Sequence, residues 1–483
     1  MEQRAGVQIS MRAFIQSLVI LFVLMLLAGV LTLIVPAGRY ERVTQAGREL
    51  IAPDSFRYVE RPAYPIWRWI TAPLETLWGP DGLTIITILL FLLMVGAAFA
   101  VLERGGILRA ALARLVSRFG RRKYVLLLAT SLFFMLLGAF FGIFEEVVPL
   151  VPLIVALAYF LGWDALVGLG MSILATNLGF SAAISNPFTI GVAQQIAGLP
   201  LFSGAWFRLL IFVAVYAVFA VFLVMYARRI DREPAASLLF AADGAERARY
   251  REWRMDDCSQ EGPGLKRALL WFLAFLVLIL AVLMAGPLLP MISRFALPLV
   301  GVLFLIGGVG AGLLAGCGLP TTLKSLGQGA AGVAPGVPLI LMAASVKHIV
   351  AQGGIMDTLL HSVSAAFLQA GPLPATLMIF VLALFIEFFV SSGSAKAFLL
   401  MPILLPLADL VGVTRQIAVT AYCFGDGFSN LAYPTNPVLL ISLGLTIVSY
   451  PQWLRWTLKL WLWLLPVTLA FLALAVAIGF GPF

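Results

Sequence analysis

Charge is what this chain has least of: 11% of its 483 residues are Asp, Glu, Lys or Arg, while 62% are hydrophobic. A soluble domain of that length cannot be built from such a composition, which marks a polytopic membrane protein. Histidine is nearly absent, with two residues, and the three cysteines (Cys258, Cys317, Cys423) are scattered. Neither a conventional zinc site nor a disulfide framework can be assembled from that set. No nucleotide-binding glycine loop with its lysine occurs, and no serine nucleophile elbow, which argues against primary pumping by this chain. The run Gly307-Gly308-Val309-Gly310-Ala311-Gly312 is read as a helix-packing surface. No ring of like charges or continuous polar helix face suggests a channel. No soluble region is large enough for a scaffold.

The net charge of +9 is no nucleic-acid footprint, and no nucleic-acid partner or cofactor is expected. The basic residues lie in short segments between apolar runs, as in loops that face anionic lipid. Segment 103–123 carries Arg104, Arg109, Arg114, Arg118, Arg121, Arg122 and Lys123 against Glu103 alone, so it is assigned to the cytoplasm. Arg228, Arg229 and Arg232 put the segment 228–266 there too, as a solvated linker with room for one short helix. The N-terminus is then cytoplasmic, and 36–80 and the C-terminus are external. The apolar run from Phe14 to Val35 is too long for a signal-peptide core and is read as a retained helix.

Runs long enough to span predict helices over 13–35, 83–102, 205–227, 267–289, 295–316, 336–356 and 455–479. Two segments, 124–163 and 374–411, are interrupted by Gly142-Ile143-Phe144-Glu145-Glu146 and by Ser391-Ser392-Gly393-Ser394-Ala395-Lys396. Their arms are short for full spans, so both are predicted to be re-entrant hairpins. Two more, 164–200 and 413–449, read as broken helices. Residues 1–82 form an N-terminal helix and external segment, 83–227 a first repeat, and 267–483 a second.

The breaks are duplicated. Gly179-Phe180-Ser181 followed by Asn186-Pro187 recurs as Gly427-Phe428-Ser429 followed by Asn436-Pro437. Gly105-Gly106-Ile107 recurs as Gly353-Gly354-Ile355, Gly162 as Gly412, and Trp206 as Trp456. In the assigned topology the first Gly-Gly-Ile ends a helix running inward and the second one running outward, so the halves are inverted. A break inside hydrocarbon frees backbone polar groups that cost several kcal/mol each unless satisfied. Paired breaks in matching halves point to the substrate site of a secondary transporter.

Proline exposes carbonyls one turn upstream of each break. With the Asn oxygens and the hydroxyls of Ser181, Ser185, Ser429 and Thr435, these suit a small hard cation such as Na⁺; no other metal is expected. The competing reading is a proline kink without ligand. The tip Ser391-Ser392-Gly393-Ser394 precedes a helix N-terminus, an anion seat with Lys396 in its first turn. Substrate carboxylate is expected there, against a plain Gly/Ser hinge with Lys396 neutralised by an acid. Glu145 and Glu146 occupy the other tip, where charge is costly. One of them is expected to face the cavity and to bind a cation, a proton, a substrate ammonium or Lys396; the bland reading is a dipole-favoured N-terminal pair. Asp426, Glu387, Lys347 and His348 are ligands or buried pair members, with Asp426 preferred as a cation ligand because it adjoins the second break. Substrate is expected to contact Asn186, Asn436, Ser392, Gly393, Ser394, Lys396 and the Glu145/Glu146 pair.

Several stretches resemble the YfcC-like branch of the anaerobic C4-dicarboxylate carrier family. They are Glu145-Glu146 with Pro149 and Pro152, Ser185 to Gln194, Gly198 to Gly204, Ser392-Gly393-Ser394 with Met401-Pro402 and Pro406 to Asp409, and Phe424 to Phe428. The resemblance covers most of the chain and is densest in the hairpin-plus-break units. It implies the ion transporter superfamily fold, all-α with inverted repeats, two re-entrant hairpins and two broken helices. It also implies a homodimer with elevator-like motion in a bacterial inner membrane. Family members carry a neutral polar residue at the place of Lys396, so the added cation suggests a different charge preference. The resulting expectation is a secondary active transporter, Na⁺-coupled, for a small carboxylate or amino acid. The alternative is an exchanger of amino acids, basic ones for example, without obligatory Na⁺.

Overall fold

Apolar length dictates most of the architecture. The computed structural model describes residues 11–45, 48–52, 55–119, 122–255, 263–285, 290–367 and 370–481; Cys258 and Arg121 lie outside them. The chain starts with α1 (Met11–Ile34) and crosses a small β region with antiparallel pairs Gly38–Arg39 with Arg57–Tyr58 and Arg42–Gln45 with Arg48–Ile51. Next come the amphipathic α2 (Arg68–Glu75), the long α3 (Gly82–Arg104) and the surface helix α4 (Ile107–Phe119). The first two-armed unit is α5 (Lys123–Leu136), a wide turn Leu137–Phe141, a tight helical turn Glu145–Leu150, and α6 (Val151–Phe160). The first broken helix follows as α7 (Ala165–Leu169), α8 (Ala175–Ser181), the break at 182–186, and α9 (Val192–Ile196), and α10 (Ala205–Arg232) closes the half.

The connection carries α11 (Gly244–Met255), and α12 (Pro263–Ala285) and α13 (Pro290–Leu314) form an antiparallel pair. Then α14 (Leu319–Val333) and α15 (Gly336–Gln352) lead to α16 (Met356–Phe367). The second two-armed unit is α17 (Pro372–Glu387) and α18 (Gly393–Leu410), the second broken helix is α19 (Arg415–Ser429) and α20 (Pro437–Gly444), and α21 (Tyr450–Ala477) ends the fold. Among the described residues, nine helices are long and apolar enough to cross a membrane.

The order long helix, surface helix, two-armed unit, broken helix, long helix thus occurs twice. Its punctuation is the glycines the sequence repeats. Gly106 and Gly354, φ +70° and +66°, end α3 and α15, and Gly162 and Gly412, φ +94° and +75°, end the second arms. A left-handed residue is the cheapest stop for a helix, and glycine adopts it without a Cβ clash. Trp206 and Trp456 do not share an environment, being 56% and 1% exposed.

Two elements depart from the sequence expectation. Helix α14 was not anticipated, because Thr321, Thr322, Lys324, Ser325 and Gln328 dilute its hydropathy. The connection 228–266 is also less solvated than expected. Helix α11 packs on α6, with the Tyr250 ring stacked on Tyr159 at 5.4 Å, and Arg249 donates to Glu103 of α3 at 2.8 Å. Asp164, which caps α7, is buried and accepts from Tyr226 and Ser237, each at 2.7 Å.

Small residues set the spacing around the breaks. A Cβ on Gly179 would lie 1.9 Å from the Met135 carbonyl oxygen, and one on Gly138 2.1 Å from that of Thr176. The first arm therefore touches the broken helix backbone to backbone. We expect Gly179→Ala to destabilise the folded protein by about 1–3 kcal/mol through overpacking. Thermal unfolding in detergent would read it; an unchanged midpoint would refute the contact.

Candidate substrate site

The two broken helices cross at Gly427, where a Cβ would stand 2.3 Å from the Cα of Ser181. The tips close on this crossing. A Cβ on Gly142, φ +67°, would meet Asn186 Oδ1 at 2.2 Å, and one on Gly393 would meet Thr189 Cγ2 at 2.8 Å and the Asp426 carboxylate at 3.1 Å. Residues more than 200 positions apart in sequence thus meet at one place, as the duplicated breaks predicted.

Each break is built the same way. Asn186 Oδ1 accepts from the backbone N–H of Phe188 at 2.8 Å and of Thr189 at 3.3 Å; Asn436 Oδ1 accepts from Val438 N–H at 2.9 Å. Both asparagines are therefore N-caps of the second half-helix, satisfying donors that the break orphans. Asn436 Nδ2 donates to Asn430 Oδ1 at 3.2 Å. Ser181 and Ser429 donate back to the carbonyls of Asn177 at 2.8 Å and Gly425 at 2.6 Å, and Ser185 reaches the Phe140 carbonyl at 3.2 Å. Two buried oxygens near the breaks, Asn177 Oδ1 and Thr435 Oγ1, have no hydrogen-bond partner among the described residues.

A cavity of about 380 Å³ opens beside the crossing. Glu145 from the first tip, Ser391 and Ser392 from the second, and Thr435 from the second break line it, with Lys347 and His348 of α15. Glu145 is exposed to it, whereas Glu146 is half-buried and accepts from the Phe144 N–H at 3.3 Å. Ser392 caps α18 through Ala395 N–H at 3.5 Å. Two basic side chains at the cavity wall already have acidic neighbours. Lys347 Nζ lies 2.5 Å from Asp81, and His348 Nε2 lies 3.4 Å from Glu75. Arg68 binds Glu75 through two nitrogens, at 3.1 and 2.7 Å, which holds that carboxyl below the ordinary range. The Lys347–Asp81 pair is 40% and 53% exposed, so Lys347→Met should shift stability by less than about 1 kcal/mol, read by thermal unfolding.

Lys396 is not on this wall. It is fully buried, with its ammonium 2.8 Å from Asp426 Oδ1 and in direct contact with Glu387. Of the two fates the sequence left open, the geometry has the neutralised lysine, and the acids that neutralise it come from α17 and α19. Glu145 and Glu146 are not its partners. Gly393 sits on the same triad, its carbonyl accepting from the Tyr422 hydroxyl. Ser394 is half-buried.

Other site residues were not singled out from sequence. Arg208, 3% exposed, donates to the Ile184 carbonyl at 3.2 Å and the Phe202 carbonyl at 3.1 Å, satisfying an oxygen freed by the first break. An arginine at the head of the apolar run 209–227 was the available signal. Gln194 and Gln416, both fully buried, meet at 3.3 Å and tie the two broken helices through Ser203. Asp81 and Gln352 give no sequence signal, because they reach the cavity only through the packing of α3 and α15.

Among relatives, the chain is 28% identical over 476 residues to an Escherichia coli (strain K12) protein named "Putative basic amino acid antiporter YfcC", covering 91% of this chain and 92% of that one. It is also 28% identical to an uncharacterized protein of Haemophilus influenzae, over 78% of this chain and 72% of that one. Among solved structures, the Alcanivorax borkumensis YdaH transporter is similar at 20% identity and a TM-score of 0.43, over 97% of this chain and 99% of that one. Neisseria gonorrhoeae MtrF is similar at 17% identity and a TM-score of 0.41, over 94% of each. The family model for the C4-dicarboxylate anaerobic carrier, DcuC, matches residues 14–477, nearly the whole chain. This multi-pass membrane protein therefore belongs to the DcuC family of C4-dicarboxylate anaerobic carriers, and it is a transporter, not an enzyme.

Proposed function

We propose that the protein exchanges amino acids bearing a cationic group, without obligatory Na⁺. One observation carries this reading: the buried cation Lys396 is consumed by Glu387 and Asp426, while Glu145 stands open in the cavity without a basic partner among the described residues. A pocket with a spare carboxylate, serine hydroxyls and basic side chains already beside acids receives an ammonium better than a second anion. The name carried by the Escherichia coli relative agrees with that choice.

Lys396 also bears on coupling. Its ammonium is a tethered monovalent cation held by two carboxylates where the second tip meets both breaks. A cation that cannot leave fills the place a free coupling ion would take. On this reading tips and breaks move together as an elevator in a homodimer. The protein lies in the bacterial inner membrane with its N-terminus cytoplasmic and its C-terminus external. Alternating access follows from one site reached from either face of inverted repeats.

The second reading is Na⁺-coupled uptake of a small carboxylate or amino acid. The oxygens of Asn177 and Thr435, unpartnered among the described residues, favour it, since hard cations take such ligands. Proteoliposomes separate the two. We expect lysine or arginine uptake to be driven by internal counter-substrate and to persist when choline replaces Na⁺. Uptake that requires a Na⁺ gradient and ignores counter-substrate would establish the symport reading instead.

A further inference from the structure

A second cavity, remote from the tips, has a different chemistry. Helices α10 and α21 lie side by side, and a groove of about 470 Å³ opens between them toward the connection after α10. Its walls include Phe222, Met225, Leu462 and Trp463. Phe222 sits 5.2 Å from Trp456 and 5.9 Å from Trp463, ring to ring, so the apolar part is a continuous aromatic surface.

Three cations converge on the same groove: Arg229 from the last turn of α10, and Arg455 and Lys459 one turn apart on α21. All three are exposed, no carboxylate lines the groove, and none of the three has an ion pair among the described residues. Three basic residues nearby are each answered by an acid: Lys123 by Asp231, Arg247 by Asp243 and Arg249 by Glu103. Trp456, 1% exposed, also lines the groove with its indole N–H unpartnered among the described residues.

Unanswered positive charge above an apolar, aromatic cleft on the outer flank of two spanning helices matches one kind of molecule. We propose that this groove binds an anionic phospholipid, its phosphate taken by Arg229, Arg455 and Lys459 and its acyl chains laid against Phe222, Met225, Leu462 and Trp463. A free phosphate satisfies only the cations and leaves the apolar walls bare. A zwitterionic lipid satisfies the walls but adds an ammonium to a cationic cluster. Basic pockets between spanning helices select anionic headgroups for this reason. The assignment is independent of the transported substrate.

The test uses the full chain, purified and stripped of lipid in detergent. Native mass spectrometry would score retention of phosphatidylglycerol, cardiolipin and phosphatidylcholine, with inorganic phosphate as competitor. Phosphatidylglycerol and cardiolipin should be retained at least tenfold over phosphatidylcholine, and phosphate at the lipid concentration should not displace them. The triple variant Arg229→Gln, Arg455→Gln, Lys459→Gln should lose this preference, its affinity for the anionic lipid falling roughly a hundredfold at about fivefold per basic residue. The pair Arg229→Lys, Arg455→Lys should keep it, and so should Arg228→Gln with Arg232→Gln, whose side chains do not line the groove. Equal retention of phosphatidylcholine, displacement by phosphate, or full retention by the triple variant would each overturn the proposal.

Discussion

Replacing Lys396 by methionine should destabilise the protein by about 3–5 kcal/mol and abolish transport, because it leaves two carboxylates buried without a counter-charge. Glu387 and Asp426 are 1% and 0% exposed, so neither can turn to water. The diagnostic part is the salt dependence. If Lys396 stands in for a coupling ion, the wild-type unfolding midpoint should not change when Na⁺ replaces choline at constant ionic strength. Lys396→Met should gain stability in Na⁺, since the vacated place now admits a free cation between the same two acids. The triple variant Lys396→Met, Glu387→Gln, Asp426→Asn removes the charge imbalance altogether. It should recover much of the lost stability without acquiring a Na⁺ response. A wild-type protein stabilised by Na⁺ would reject the tethered-cation reading directly. So would a Lys396→Met variant that unfolds at the wild-type temperature.

Glu145→Gln should lower exchange of lysine or arginine by about thirtyfold or more, with the unfolding midpoint unchanged. The two readouts separate because the Glu145 side chain faces the cavity and makes no ion pair among the described residues, whereas truncating one partner of a desolvated charge pair costs about 2–5 kcal/mol of binding. Its neighbour gives the contrast. The Glu146 carboxylate accepts from the Phe144 backbone at the tip turn, a bond that an amide oxygen can also accept, so Glu146→Gln should leave both exchange and stability near wild type. Counterflow in proteoliposomes and thermal unfolding of the same preparations would check both. If Glu146→Gln proves the transport-dead variant and Glu145→Gln behaves as wild type, the cavity assignment has the wrong glutamate. If neither variant alters exchange, no carboxylate at this tip reads the substrate.

The membrane class, most spanning helices, both broken helices and the repeat were all legible in the order of residues, because each is a local property. Hydropathy is summed over neighbours along the chain, and a helix break is written where it happens, in Asn186-Pro187 and Asn436-Pro437. The glycine stops at 106, 162, 354 and 412 are local in the same sense, and their recurrence exposed the two halves. Helix α14 escaped because its polar face is covered by α3, a partner that hydropathy along the chain cannot see.

The partners of the charges belong to the tertiary structure. Lys396 reads as a candidate anion ligand from its own neighbourhood, Ser391 to Ser394. Only the packing of α17, α18 and α19 brings Glu387 and Asp426 to its ammonium and removes it from the substrate wall. The asparagine side chains are likewise spent on capping, which depends on how the second half-helix begins. Glu145 and Glu146 are adjacent in sequence and alike in chemistry, yet one opens to the cavity and the other binds its own turn. The physical reason is the same in every case. Desolvation and pairing depend on atoms within a few ångströms in space, and for Lys396 those atoms sit on two other helices that only the packing brings to it.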